Sequence, residues 1–132
     1  MNARLLALVG ALLISASPLL KAHHSFAAEY DSNKPVTVTG VVTKVEWTNP
    51  HIWFYVDVKD EQGKVTNWGF SAGPPGVLQR RGISRDVMKK GDVIVVDGFR
   101  ARDGSNNASG GRVTFADGRS VFTASNEDRA PR

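Results

Sequence analysis

The sequence predicts an all-β domain with one short helix. Three observations carry that prediction. Short runs of alternating apolar and polar residues recur along the chain, with the two-residue period of half-buried strands. One segment in the middle, "AGPPGVLQRRG", breaks that period and carries the proline and glycine punctuation of a helix. The chain has no cysteine, so such a domain must be held by packing alone.

Taken in order, residues 23–34 read as an N-terminal arm, and the domain proper occupies residues 35–124. "KPVTVTGVVTKVEW" is the first strand. Its apolar residues run Val36, Val38, then slip to Val41, Val45 and Trp47, which places a bulge or strong bend at Gly40. "TNP" turns the chain. "HIWFYVDV" is the second strand, with Ile52, Phe54, Val56 and Val58 on the core face and His51, Trp53, Tyr55 and Asp57 opposite. "KDEQGK" is a hairpin loop into the third strand, "VTNWGFS". The prolines and Gly76 open a helix over Val77–Arg81, closed by Gly82, and Ser84 caps a second turn over Arg85–Lys90. "DVIVVDGFRA" is the fourth strand. "RDGSNNASGG" reads as a mobile loop by composition. "RVTFADGRSVF" closes the domain as a strand or hairpin turning at Asp117-Gly118, and residues 125–132 read as a flexible tail. Three strands, a helix and two strands is the order of a small five-stranded Greek-key barrel, OB-like in topology. A small β-sandwich is the alternative; the placement of the helix favours the barrel.

The first 22 residues read as a secretory signal peptide. Arg4 supplies the basic start, and Leu5–Ile14 is an uncharged apolar run, shorter than the roughly 20 residues of a membrane span. Cleavage after Ala22 is the expected cut, with one near Ala16 as the alternative. The expected location is periplasmic or secreted, with no transmembrane anchor after processing. The whole chain carries a net charge of +4, but Arg4 and Lys21 belong to the leader, leaving fifteen basic against thirteen acidic residues. No arginine stripe is present, so nucleic acid is not an expected partner.

The blocks "HHSFAAEYD", "VEWTNPHIWFYVDV", "NWGFSAGPPGVLQRRG" and "KKGDVIVVDGFRARDGS" resemble the signature blocks of a family of small secreted proteobacterial proteins, classified as a domain of unknown function. The resemblance covers essentially all of the chain after Ala22. It implies export and a compact β-rich domain, and it brings no established activity and no catalytic residues.

The chemistry rests on three histidines. A cut after Ala22 gives His23 a free α-amine, with an ordinary pKa of roughly 7.7–8.0. That amine and the His23 imidazole chelate one ion in a compact ring, and a third nitrogen from His51 would complete a histidine brace. Alternatively His24, in second position, joins the amine through the intervening amide. Both arrangements suit Cu(II), which prefers nitrogen donors in a tetragonal plane; zinc takes the same ligands in a tetrahedron. The plain alternative is a solvated pair at a chain end. Copper is therefore the expected cofactor if there is one, and His23, His24 and His51 are its candidate ligands.

Trp53, Tyr55 and Trp68 are candidates for stacking a ligand. The plainer expectation is that the aromatic face packs against the arm through Phe26 and Tyr30. The glycines before Arg80-Arg81 follow no phosphate-loop pattern. "DGSNNASGG" lacks the spacing and closing glutamate of a calcium loop. Ser71, Ser84 and Asp57 form no triad with a single internal histidine, and Glu29 with Asp31 is not marked as an acid/base pair. The sequence thus reads as a non-catalytic exported binding protein whose partner is an unknown periplasmic protein or small ligand. A structural or interaction module is the runner-up, and an enzyme is ranked last.

Overall fold

A computed structural model of the chain describes residues 26–124. They form α1 (Phe26–Glu29), β1 (Tyr30–Glu46), β2 (Trp53–Lys59), β3 (Val65–Ser71), α2 (Pro75–Arg80), β4 (Val93–Ala101), β5 (Asn107–Phe115) and β6 (Ser120–Phe122). The fold is mostly β with two short helices. One is the helix expected after "GPPG"; the other is a single turn in the arm. The strands form one sheet in the order β3-β2-β1-β4-β5-β6. A parallel ladder between β3 and β5, from Gly69–Asn107 to Ser71–Ser109, joins the two sides into a barrel-like ring of five strands. The sandwich alternative, with two facing sheets, is not what forms.

The length of β1 makes the ring possible. Its first part pairs with β4, from Pro35–Phe99 to Val41–Val93, and its last part pairs with β2, from Val41–Asp57 to Glu46–Trp53. The strand therefore serves both sides, as its bent pattern suggests. The slip lies three residues later than Gly40. Val36, Val38, Gly40 and Val42 share the inner face, Val42 is 1% exposed and Val41 is 41% exposed. Thr43 is the residue skipped in the pairing with β2, and its hydroxyl donates to the Tyr55 carbonyl at 3.3 Å. Gly40 is needed for close approach instead: a Cβ there would collide with the Asp57 carbonyl oxygen and stand 2.7 Å from Val56 Cγ1.

The core fills the ring. Phe54, Val56, Phe70, Ile94, Val96 and Val113 are buried, and the Phe54 and Phe70 rings stack at 5.3 Å. The faces of β2 are those expected. Leu78, Ile83 and Met88, on α2 and the chain after it, belong to the same cluster and close one end. The second turn expected after Ser84 is not helical. A single turn bond forms, from Val87 N to Ser84 O at 3.1 Å, and Lys89 N then donates forward to the Asp92 carboxylate at 2.8 Å instead of back to a helical carbonyl. Gly91 N and Val42 N next join the chain to β1 through Val42 O and Asp92 O.

"NASGG" is the larger correction. It is not a mobile loop but the first half of β5, and Ala108, Ser109 and Gly110 are buried. Only Arg102–Asn106 turns the chain. Composition misleads here because the residues are small for a steric reason. A Cβ on Gly98 of β4 would collide with the Ser109 carbonyl oxygen, and one on Gly110 would stand 3.1 Å from the Phe54 ring and from the Ser71 carbonyl. The ring closes at this seam, and only small side chains let it.

Candidate functional site

The arm is fixed to the outside of the ring by three kinds of contact. Phe26 packs its ring 5.6 Å from Tyr30 and edge-on to Phe99 at 5.6 Å, and these residues form a second buried cluster with Ala101. Arg102 holds the turn of helix, its backbone N–H donating to Glu29 O at 2.9 Å and its Nε donating to Ala27 O at 2.7 Å. The Tyr30 hydroxyl lies 2.6 Å from Ser71 Oγ at the end of β3. The arm thus packs on β4, through Phe99 and Ala101, instead of covering the aromatic face of β2 as expected.

Ser71 precedes Ala72, and the Ala72 carbonyl is where His51 is held. His51 is exposed, just ahead of β2, with Nδ1 3.0 Å from that oxygen. A carbonyl oxygen only accepts, so Nδ1 carries the hydrogen and the neutral ring keeps its lone pair on Nε2. An imidazole anchored through one nitrogen to a backbone carbonyl is oriented to use the other as a ligand. His23 and His24 lie outside the described residues. Among the described residues no group of three or more His, Asp or Glu side chains is placed to hold a metal ion.

The three aromatic candidates divide between two faces. Trp53 and Tyr55 stack at 6.4 Å with 23° between their planes, on the outer face of β2. Tyr55 Oη donates to Glu46 Oε2 at 3.1 Å, while Lys44 pairs with Glu46 and lies over the Tyr55 ring at 5.5 Å. The Lys44 hydrogen bond, reinforced by that from Tyr55, holds the Glu46 carboxyl below its ordinary value. Burial, with the same Glu46 contact, pushes the Tyr55 phenol up. Trp68 stands opposite Val56 in the pairing, with its ring 6.2 Å from Phe70. It packs against the core and is covered by the Arg100 guanidinium at 5.5 Å, so it does not extend the Trp53–Tyr55 platform. Ser71, the Ala72 carbonyl and Arg102 are site residues with no signature in the sequence, because each acts through a partner far along the chain.

A small, mostly β, barrel-like domain with a pinned arm and a half-buried aromatic pair on its outer face is the class of protein these features define. Residues 11–111 match the family described as a family of unknown function, DUF6152, and the chain belongs to it. No curated protein and no solved structure matches the chain. No helix among the described residues is long and apolar enough to cross a membrane.

Proposed function

We propose that this chain is an exported, non-catalytic, OB-like protein that binds Cu(II) through the processed N-terminus and His51. In this reading, cleavage after Ala22 frees the His23 amine, which chelates the ion together with its own imidazole, and His51 Nε2 supplies the third nitrogen. The observation that carries the reading is the hydrogen bond from His51 Nδ1 to the Ala72 carbonyl, which leaves Nε2 as the donor. The Tyr30–Ser71 contact supports it, because it ties the arm down one residue from that carbonyl. From Phe26 back to His23 is three residues, a reach of about 10 Å at full extension.

The test compares Cu(II) affinity of the protein starting at His23 with that of the isolated peptide "HHSFAAEYD". The reading expects the protein to bind more tightly by at least an order of magnitude, since a fold-held donor adds to a generic chelating end. Equal affinities would overturn it.

A second reading is favoured by the Trp53–Tyr55 stack: a binding module that engages a protein or envelope component through its outer aromatic face. Binding of such a partner by metal-free protein would separate it from the copper reading.

A further inference from the structure

A cleft of about 500 Å³ opens between the arm and the turn joining β4 to β5. Its volume falls in the range of small-molecule sites. Four separate pieces of chain supply its walls: Glu29 from α1, Trp53 from β2, Arg102 and Asp103 from the turn, and Asn107 from β5. None of these pieces is contiguous with another except through the turn, so the cleft is a product of the ring and the pinned arm together.

The polar groups in this cleft are not spent on one another. The Glu29 carboxylate and the Asn107 carboxamide have no hydrogen-bond or ion-pair partner among the described residues. Asp103 accepts the Ser105 backbone N–H at 2.9 Å through one carboxylate oxygen, Oδ1. Arg102 uses Nε on the Ala27 carbonyl, which leaves its terminal N–H groups. Planar donors and acceptors beside an aromatic wall are the groups that bind a sugar. A pyranose lays its C–H face on an indole and offers its hydroxyls, each both donor and acceptor, to carboxylate, carboxamide and guanidinium.

We infer that this cleft is a saccharide-binding site, taking an uncharged or amine-bearing oligosaccharide with Trp53 as its stacking wall. The charge balance selects the class. Two carboxylates against one guanidinium leave the cleft anionic, which disfavours uronates and phosphodiesters and admits neutral and cationic sugars. The stack of Trp53 on Tyr55 carries the aromatic surface beyond the cleft along β2, so a chain of units is favoured over a single one. Extended ligands on rings of this strand order lie across the second and third strands and against the turn between the fourth and fifth. This inference narrows the second reading above and is independent of the copper reading.

The experiment is calorimetric titration of metal-free protein, kept in chelator, with four hexamers: β-1,4-linked N-acetylglucosamine, its deacetylated glucosamine form, galacturonate and oligo-thymidylate. The expected result is binding of one or both of the first two, with the acidic hexamers weaker or silent. Trp53→Ala should weaken that binding by about tenfold or more, as truncation of an aromatic anchor does, while Trp53→Phe retains most of it. Glu29→Gln, which removes a charge and no contact, should reduce the preference for the glucosamine hexamer over its acetylated form. Circular dichroism and the thermal midpoint certify that each variant is folded. Absence of binding by all four, tighter binding of either acidic hexamer, or undiminished affinity in folded Trp53→Ala would each overturn the inference. Because copper is excluded throughout, none of these outcomes bears on the histidine site.

Discussion

Tyr30 and Ser71, forty-one residues apart, join their hydroxyls at 2.6 Å. One stands at the start of the first strand and the other at the end of the third, so this bond ties the arm to the end of β3. It gives the buried Tyr30 side chain, 5% exposed, a partner for its only polar atom. Phe26 and Phe99 supply the apolar surroundings.

Tyr30→Phe keeps the ring packing and removes the oxygen, which leaves Ser71 Oγ without that partner. The expected loss is about 1 kcal/mol, or a fall of about 4–8 °C in thermal midpoint for a domain of this size. Deleting residues 23–31 should cost more and should red-shift tryptophan emission, because Trp53 shares the cleft with Tyr30. An unchanged midpoint and spectrum on deletion would mean that the arm is not held in solution.

The inner face of β1 and β2 gives a second test. Phe54, 2% exposed and stacked on Phe70, should lose about 3–5 kcal/mol on mutation to alanine. Val41 and Val42 separate the two possible phases of β1. Val42→Ala should lower the urea midpoint clearly, and Val41→Ala should change stability by about 0.5 kcal/mol or less. The reverse order would place the slip at Gly40 after all.

How much of this was legible follows from what each segment had to do. The second strand showed itself because one face is core and the other is not, so its residues alternate. The helix showed itself through Pro74, Pro75 and Gly82, which are local signals. The start of β5 did not, because Asn107, Ala108, Ser109 and Gly110 are chosen for closeness to Phe54, Gly98 and Ser71, and those neighbours are not adjacent in sequence. Trp68 shares a strand with polar Asn67 and exposed Val65, and only the pairing with Val56 reveals that it faces inward. At the candidate site, the type of His51 was legible but its anchoring was not, since its partner is a main-chain oxygen twenty-one residues away.

The seam itself is testable. Gly98→Ala drives a methyl group into the Ser109 carbonyl, which is backbone and cannot rotate away. Strain of this kind costs about 1–3 kcal/mol or more. Gly76→Ala serves as the control. It lies in α2, and its nearest neighbour would be the flexible end of Arg80 at 3.5 Å. Alanine there should be neutral or stabilising by up to about 1 kcal/mol. Comparable losses at both sites would remove the close-approach explanation for Gly98.

The Lys44–Glu46–Tyr55 group predicts a pH dependence with a fixed sign. The Lys44 hydrogen bond lowers the folded-state pKa of Glu46 from its ordinary 4.5, and the Tyr55 hydrogen bond adds to it. A depressed carboxyl contributes stability above its unfolded pKa and loses it as pH falls through the folded value. Wild type should therefore exceed Glu46→Gln in stability at neutral pH by a small, salt-sensitive margin, since the group is exposed. The margin should shrink below about pH 4.5 and vanish at lower pH. At the other end, Lys44 is raised above its ordinary 10.5 by the same hydrogen bond, so its contribution fades only as pH rises through that higher value. A margin that grows on acidification would show the group to be destabilising.

The sharpest prediction concerns His51. Its Nδ1 contact to the Ala72 carbonyl fixes the tautomer before any metal arrives. Nitrogen NMR of metal-free protein at pH 7.5 should therefore find the hydrogen on Nδ1 and the lone pair on Nε2. A ring with its hydrogen on Nε2 would break the geometric basis of the copper reading without any metal titration. If the reading holds, His51→Ala weakens Cu(II) binding far more than His24→Ala does, because the brace uses His23 and His51 and not its neighbour. A single added N-terminal glycine should do comparable damage while every histidine remains, because it removes the chelating amine from His23. The opposite ranking, with His24→Ala the more harmful and His51→Ala nearly silent, would identify the site as a chelating terminus that owes nothing to the fold. Acid weakens binding under either outcome, since protons compete for the amine and the imidazoles, so the ranking of the variants and the His51 tautomer decide the matter.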